Sequence, residues 1–174
     1  SVIKKTNYKF DTVLIGGPIA ARVNVLRRLK NDGFTVAIYG PETWKHIPDL
    51  RENYLGFVSS ENFDQRLSEG RIILSMLEDH INGNLHMNTK IWESARAGCF
   101  TIATNYQPLF CDYGFVDGTN IVTYENEDDL HSKFKYYIEN EALREKIRNN
   151  FLRKVYNELD YQILYLDLFK SIQL

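Results

Sequence analysis

Three places in this 174-residue chain combine residue types that can do chemistry. The first is Gly16-Gly17-Pro18, which follows an apolar run and precedes a helical pattern. Glycine lets a backbone approach a ligand closely, and the N-terminus of the following helix attracts anions through its unsatisfied N–H groups and dipole. The spacing is not G-x-G-x-x-G, which disfavours a dinucleotide site, and no G-K-[ST] is present to make a P-loop. Taken alone, a tight strand-to-helix turn is the more economical reading of these glycines. The second place is the polar loop 79–87, with Asn82-Gly83-Asn84, followed by Asn88. Asn88 stands where it can cap the next helix or give its amide to a ligand, and a diphosphate suits such a helix start; an ordinary exposed loop is the alternative. The third is the pair Lys90 and Glu93. At ~100° per residue they share one helix face, away from Met87, Ile91 and Ala95. From spacing alone they read as an exposed i,i+3 ion pair worth a few tenths of a kcal/mol.

Other candidates fail sooner. The four histidines, His46, His80, His86 and His131, are dispersed without metal-ligand spacing, so no metal site is expected. Glu125, Glu127, Asp128 and Asp129 read as a solvated helix start favoured by the dipole. No G-x-S-x-G elbow or Cys–His signature occurs.

The elements that must position these residues alternate. Apolar runs at 12–15, 34–39, 54–58, 71–76, 100–104 and 121–124 read as strands, the first two stopped by Gly16-Gly17-Pro18 and Gly40-Pro41. Helical patterns occupy 19–30, 60–67 with Ser60 as its cap, 87–97 ended by Gly98, 128–139 and 141–159, and an apolar-rich stretch at 161–172 is also expected to be helical. The segment 105–119, with Pro108, Gly114 and Gly118, reads as a long irregular loop. Strand and helix alternating at this spacing predict an α/β fold: a Rossmann-like, doubly wound parallel sheet of about six strands with helices on both faces. In such a sheet ligands bind beyond the carboxyl ends of the strands, where the strand order reverses. The Gly16-Gly17 turn and the 79–88 loop both fall on that edge.

Length and composition fit one domain spanning 1–174. A hydrophobic content of 44% supports a core, and 25% charged residues with a net charge of −2 argue against a chain held to nucleic acid by bulk charge. Cys99 sits in an apolar stretch and reads as buried; a disulfide to Cys111 is not expected. No Asn-x-Ser/Thr sequon, signal-like run or stretch of ~18 apolar residues occurs, so the expected compartment is the cytoplasm.

The run Asn88-Thr89-Lys90-Ile91-Trp92-Glu93-Ser94-Ala95-Arg96-Ala97-Gly98 resembles the N-x-[RK]-x-[FW]-E-x-x-A-x-G signature of GT-B glycosyltransferases of the spore-maturation CgeB and group 1 type. The Gly-rich turn with Arg22, the strand 35–40 and the segment Tyr54-Leu55-Gly56-Phe57-Val58 are similar to that family in order and spacing, over roughly residues 11–155. The resemblance implies the C-terminal, donor-binding half of such an enzyme, with a nucleoside-diphosphate sugar as donor substrate and no separate cofactor. It implies that Glu93 accepts hydrogen bonds from the ribose hydroxyls, a role that suits a carboxylate because it takes both at once. Arg22 and the Gly16-Gly17 turn meet the diphosphate, with Asn88 and Lys90 beside them. Lys90 stands where the family has arginine, keeping the charge and losing the bidentate fork. Phe57 and Val58 lie along the nucleobase. Helix dipoles and cationic side chains neutralise the leaving diphosphate without a divalent metal. The N-terminal GT-B domain, which supplies the acceptor site and often the base, is the expected partner, and the isolated chain is expected to bind donor rather than turn it over.

The sequence departs from the pattern in two places. Related retaining enzymes carry Glu-x7-Glu, and Leu85 stands at the first of these glutamates; Ser75-Met76 replaces the usual Leu-Asn. A non-catalytic Rossmann-type nucleotide-binding or interaction module therefore stays open beside the transferase reading. A receiver-like domain is disfavoured, because Gly16-Gly17 and Val58-Ser59 stand where its aspartates would.

Overall fold

A computed structural model describes residues 8–77 and 89–159. The apolar runs form six strands, β1 (Phe10–Ile15), β2 (Val36–Tyr39), β3 (Tyr54–Gly56), β4 (Gly70–Ser75), β5 (Thr101–Thr104) and β6 (Val122–Tyr124). They make one sheet in the order β3-β2-β1-β4-β5-β6, every neighbour pair parallel. This is the doubly wound arrangement expected, and its order reverses between β1 and β4. The strands read as unbroken apolar runs because helices cover both faces. The helices are α1 (Ala20–Asn31), α2 (Phe63–Leu67), α3 (Lys90–Arg96), α4 (Gln107–Cys111), α5 (Glu127–Glu139) and α6 (Glu141–Glu158).

Alternation along β1 assigns the faces. Leu14 packs with Leu26 and Leu29 of α1 and Leu130 and Phe134 of α5, whereas Val13 and Ile15 pack with Leu67 of α2 and Ala97 beyond α3. Ile91 and Ala95 of α3 join Leu109 of α4 and Phe151 of α6 in a third apolar cluster on that second face. Asn126 caps α5 by accepting from the Asp129 N–H, and the acidic run seen in the sequence supplies the first turn behind it.

The amino edge of the sheet is tied by charge. Arg148 pairs with Glu145 at 2.9 Å and donates to the Gly98 carbonyl, and the Tyr8 hydroxyl donates to Glu145. Buried Arg144 donates to the Tyr137 and Ile138 carbonyls, closing the C-terminus of α5.

Three expectations need correction. The 105–119 stretch is not irregular throughout: Pro108 opens α4 from a first-turn position, where its missing N–H costs nothing, and buried Leu109 anchors the helix. The 60–67 segment is split into a 3-10 turn, Ser60–Asn62, and α2; the residues at their starts are Ser59 and Asn62, so Ser60 is not the cap. The C-terminal boundary of β3 falls at Gly56 rather than residue 58. The helix expected at 161–172 lies outside the described residues. Cys99 is buried as expected and Cys111 is exposed, both free.

One close approach governs the carboxyl edge. Gly40 (φ +150°) ends β2 with its α-carbon against the Gly16 peptide; a Cβ there would overlap the Gly16 oxygen and come 3.0 Å from its carbon. Gly33 also has a positive φ (+89°), but a Cβ there would meet nothing within 4 Å. Gly33→Ala should cost about 1–2 kcal/mol, the left-handed penalty alone. Gly40→Ala should cost about 3 kcal/mol or more, because backbone must also move. Thermal unfolding of the two variants checks the order, each kcal/mol being worth about 2–4 °C in Tm at this size.

Candidate functional site

The site forms where β1 and β4 diverge. Gly16 and Gly17 leave β1 in a turn whose Gly16 N–H still bonds the Tyr39 carbonyl of β2 at 2.9 Å. α1 starts just beyond, so its first N–H groups, which lack intrahelical partners, lie beside the turn. Arg22, in the first turn of α1, reaches back so that its Nη1 donates to the Gly17 carbonyl at 3.2 Å. Lys90, the first residue of α3, comes from the other side of the switch point and donates from Nζ to the Ile15 carbonyl. The two cations meet at Gly16: a Cβ built there would lie 3.0 Å from Arg22 Nη1 and 3.3 Å from Lys90 Nζ. A side chain at position 16 would crowd both cations, and the φ of +155° disfavours one as well.

Lys90 departs from the expected exposed ion-pair geometry. It is half-buried, because α3 presses Ile91 and Ala95 into the core and carries Lys90 against the end of β1. Burial, first, and the neighbouring Arg22 charge push its ammonium down to about 8, while Glu93 acts in the opposite direction. Glu93 lies one turn further along α3, half-buried, with Thr89 Oγ1 donating to its carboxylate at 3.2 Å. Gly16, Gly17, Arg22, Lys90 and Glu93 thus come from three elements to one edge of the sheet. Asn88 lies outside the described residues, as do the loop 79–87 and Leu85.

Phe57 and Val58 diverge. Phe57 is 83% exposed at the mouth of a groove of about 410 Å³, lined also by Gly40, Glu42, Lys45, Tyr54 and Leu55. Val58 turns back to pack against the apolar cluster that holds Phe10 and Phe63. Gly40 belongs both to this groove and to the contact with Gly16, so groove and turn adjoin.

Three residues of this edge have structural roles that their sequence patterns do not disclose. Gly40 reads from sequence only as a strand stop. Trp44, fully buried in the 3-10 turn Glu42–His46, donates from Nε1 to the Gly16 carbonyl at 2.7 Å. The Tyr54 hydroxyl donates to the Gly40 carbonyl at 2.9 Å. Nothing periodic marks Trp44, because the crossover that carries it has no α-helix, and Tyr54 reads only as the start of β3.

A larger hollow of about 780 Å³ runs along α6, lined by Glu141, Glu145, Lys146, Asn149 and Arg153 among others. Glu145 is bonded to Tyr8, which precedes β1, so that hollow lies toward the amino ends of the strands, away from the switch point. Among the described residues no group of three His, Cys, Asp or Glu side chains is placed to hold a metal ion, and no helix is long and apolar enough to cross a membrane.

Comparison with known proteins gives this geometry a family. The family model described as glycosyl transferase-like matches residues 22–165. Among curated proteins none matches the chain. Among solved structures, HepE of Anabaena, crystallised with UDP, superposes with a TM-score of 0.70 at 12% identity over 96% of this chain. TarM of S. aureus superposes at 0.67 with 16% identity over 95% of it. The C-terminal domain of LpcC, a glycosyl transferase group 1 family protein of Francisella tularensis, superposes at 0.62 with 14% identity over 86% of it. The chain spans 36% of TarM and 49% of HepE, but 85% of that isolated C-terminal domain. At such identities these structures establish the fold, and the match to the family model over most of the chain establishes the kinship: the chain belongs to the glycosyl transferase-like family and has the Rossmann-like fold of one half of a GT-B glycosyltransferase.

Proposed function

We propose that the whole chain is the donor-binding domain of a GT-B glycosyltransferase, holding a nucleoside-diphosphate sugar at the β1–β4 switch point. The observation that carries this reading is the convergence of Arg22 and Lys90 on the Gly16–Gly17 turn, with Glu93 one helical turn away on α3. Two cations held this close repel each other, and a diphosphate between them relieves that repulsion while the α1 dipole adds to the attraction. Charge-assisted bonds to phosphate oxygens are stronger than the bonds to neutral carbonyls that these side chains make here. The Glu93 carboxylate is suited to accept from both ribose hydroxyls, and the exposed Phe57 ring offers a face to the base.

In this reading Arg22, Lys90 and the helix start stabilise the diphosphate as the sugar leaves, which supports transfer without a divalent metal. The acceptor and the group that activates it belong to a second domain: HepE and TarM, both crystallised with UDP, are at least twice as long as the part the chain matches. The isolated chain therefore binds donor and does not turn it over. Two free thiols, one exposed, fit a reducing compartment and support a cytoplasmic location.

Calorimetric titration of the chain with UDP, GDP, ADP and CDP tests the reading. One of them should bind in the micromolar to millimolar range, and Glu93→Ala should weaken it about tenfold or more, equivalent to about 1.4 kcal/mol or more. Binding of none of the four, or binding indifferent to Glu93→Ala, would overturn the assignment.

Lys90 adds a pH signature. Its ammonium, lowered to about 8, is charged below that pH and neutral above it. A bound anion favours the charged form, so affinity should be level just below pH 8 and fall as pH rises through it. Lys90→Met should lower the affinity at neutral pH and abolish this fall; an unchanged profile in Lys90→Met would remove Lys90 from the site.

A further inference from the structure

Three consecutive backbone carbonyls at the end of β1 each accept a hydrogen bond from a side chain of a different element. Ile15 accepts from Lys90 of α3, Gly16 from Trp44 of the 3-10 turn Glu42–His46, and Gly17 from Arg22 of α1. The donors are of two kinds. Lys90 and Arg22 are cations on long, flexible stems, able to exchange a neutral carbonyl for a phosphate oxygen. Trp44 is a neutral donor with no such exchange open to it. Its ring is 0% exposed, packed in one apolar cluster with Leu26, Ile38 and Leu50, and its indole N–H has only one direction in which to donate.

The direction matters because a carbonyl oxygen aimed at an anion repels it. The Trp44 bond turns the Gly16 oxygen toward β2, where it lies against the Gly40 α-carbon, in the space a side chain there would fill. The Tyr54 hydroxyl holds the Gly40 carbonyl from the far side, so the turn and its backstop are each pinned by one buried or half-buried aromatic donor.

We infer that Trp44 is a positioning residue for anion recognition: its indole holds the Gly16 carbonyl toward β2, so that the turn keeps its shape when Lys90 and Arg22 release the flanking carbonyls to bind a diphosphate. The inference rests on the donor-site reading above and goes beyond it, since Trp44 touches no ligand and acts through the Gly16 peptide. Its effect is confined to the phosphate end of the ligand.

The test uses the 174-residue chain, the nucleoside diphosphate among UDP, GDP, ADP and CDP that binds it most tightly, and the corresponding nucleoside. Trp44→Phe keeps an aromatic ring in the core and removes the donor. Calorimetry should read a loss of at least tenfold in affinity for the diphosphate. An NMR titration, which follows weak binding, should read an unchanged affinity for the nucleoside. A purely structural role would weaken both equally. Should Trp44→Phe not fold, the indole N–H of the unaltered chain carries the test. In the unaltered chain the Trp44 indole N–H should exchange with solvent much more slowly than an open indole; exchange at the open rate would overturn the inference without any ligand. Equal weakening of diphosphate and nucleoside, or no weakening of either, would overturn the role of Trp44 and leave the donor site standing. Failure of the unaltered chain to bind any of the four diphosphates would overturn both.

Discussion

Backbone meets backbone where Gly40 closes β2 against the Gly16 peptide, and the whole carboxyl edge of the sheet is arranged around that contact. No side chain fits between them, so the end of β2 acts as a wall behind the turn that leaves β1. The wall is held by Tyr54 and the turn by Trp44, both supplied by the crossover and strand that follow β2. With the turn placed, α1 starts at a set point and Arg22 has the Gly17 carbonyl to reach; α3 follows β4 in the chain and aims Lys90 at the Ile15 carbonyl, two residues back. A larger residue at position 40 would disturb every one of these relations, although it touches none of the charged groups.

Lys90 shows how the fold keeps a cation under electrostatic stress. An ammonium taken from water needs hydrogen bonds and opposite charge to offset the loss. Here it donates to a neutral carbonyl and faces Arg22, with Glu93 as partial relief. The packing of α3 holds it there: Ile91 and Ala95 are fully buried, Trp92 lies edge-on to Tyr113 at 5.0 Å, and α6 supports the helix through Phe151. Core burial on one side of α3 thus maintains an unfavourable charge placement on the other.

The opposite edge of the sheet has another character. Buried Arg148 and Glu145 form a bonded group with half-buried Tyr8, and Arg144 closes α5. These charges are matched by partners within the fold, and they join the segment before β1, the turn before β5 and the last described helix. One edge is closed on itself by ion pairs and caps; at the other, Arg22 and Lys90 donate to main-chain carbonyls. The sheet separates the two.

Six strands and the long helices were legible in the sequence because a parallel sheet buried on both faces leaves unbroken apolar runs, and amphipathic helices leave a periodic stripe. From those runs the switch point and the Gly16–Gly17 turn could be placed, and Cys99 could be read as buried. Arg22 came into view only through the resemblance, and Glu93, which spacing marked as half of an i,i+3 pair with Lys90, took its ligand role from the same source. Lys90 looked exposed because helical-face arithmetic knows only its own helix; α3 is pressed so close to β1 that its polar face is partly covered as well. Pro108 looked like a loop marker because position within a first turn, which makes proline a helix opener, is set by Leu109 finding the core. Trp44 carried no legible role, and Gly40 read only as the stop of a strand. Their meaning arises from a contact between residues 24 positions apart along the chain (Gly16 and Gly40), and no local pattern encodes a distance that only the closed sheet creates.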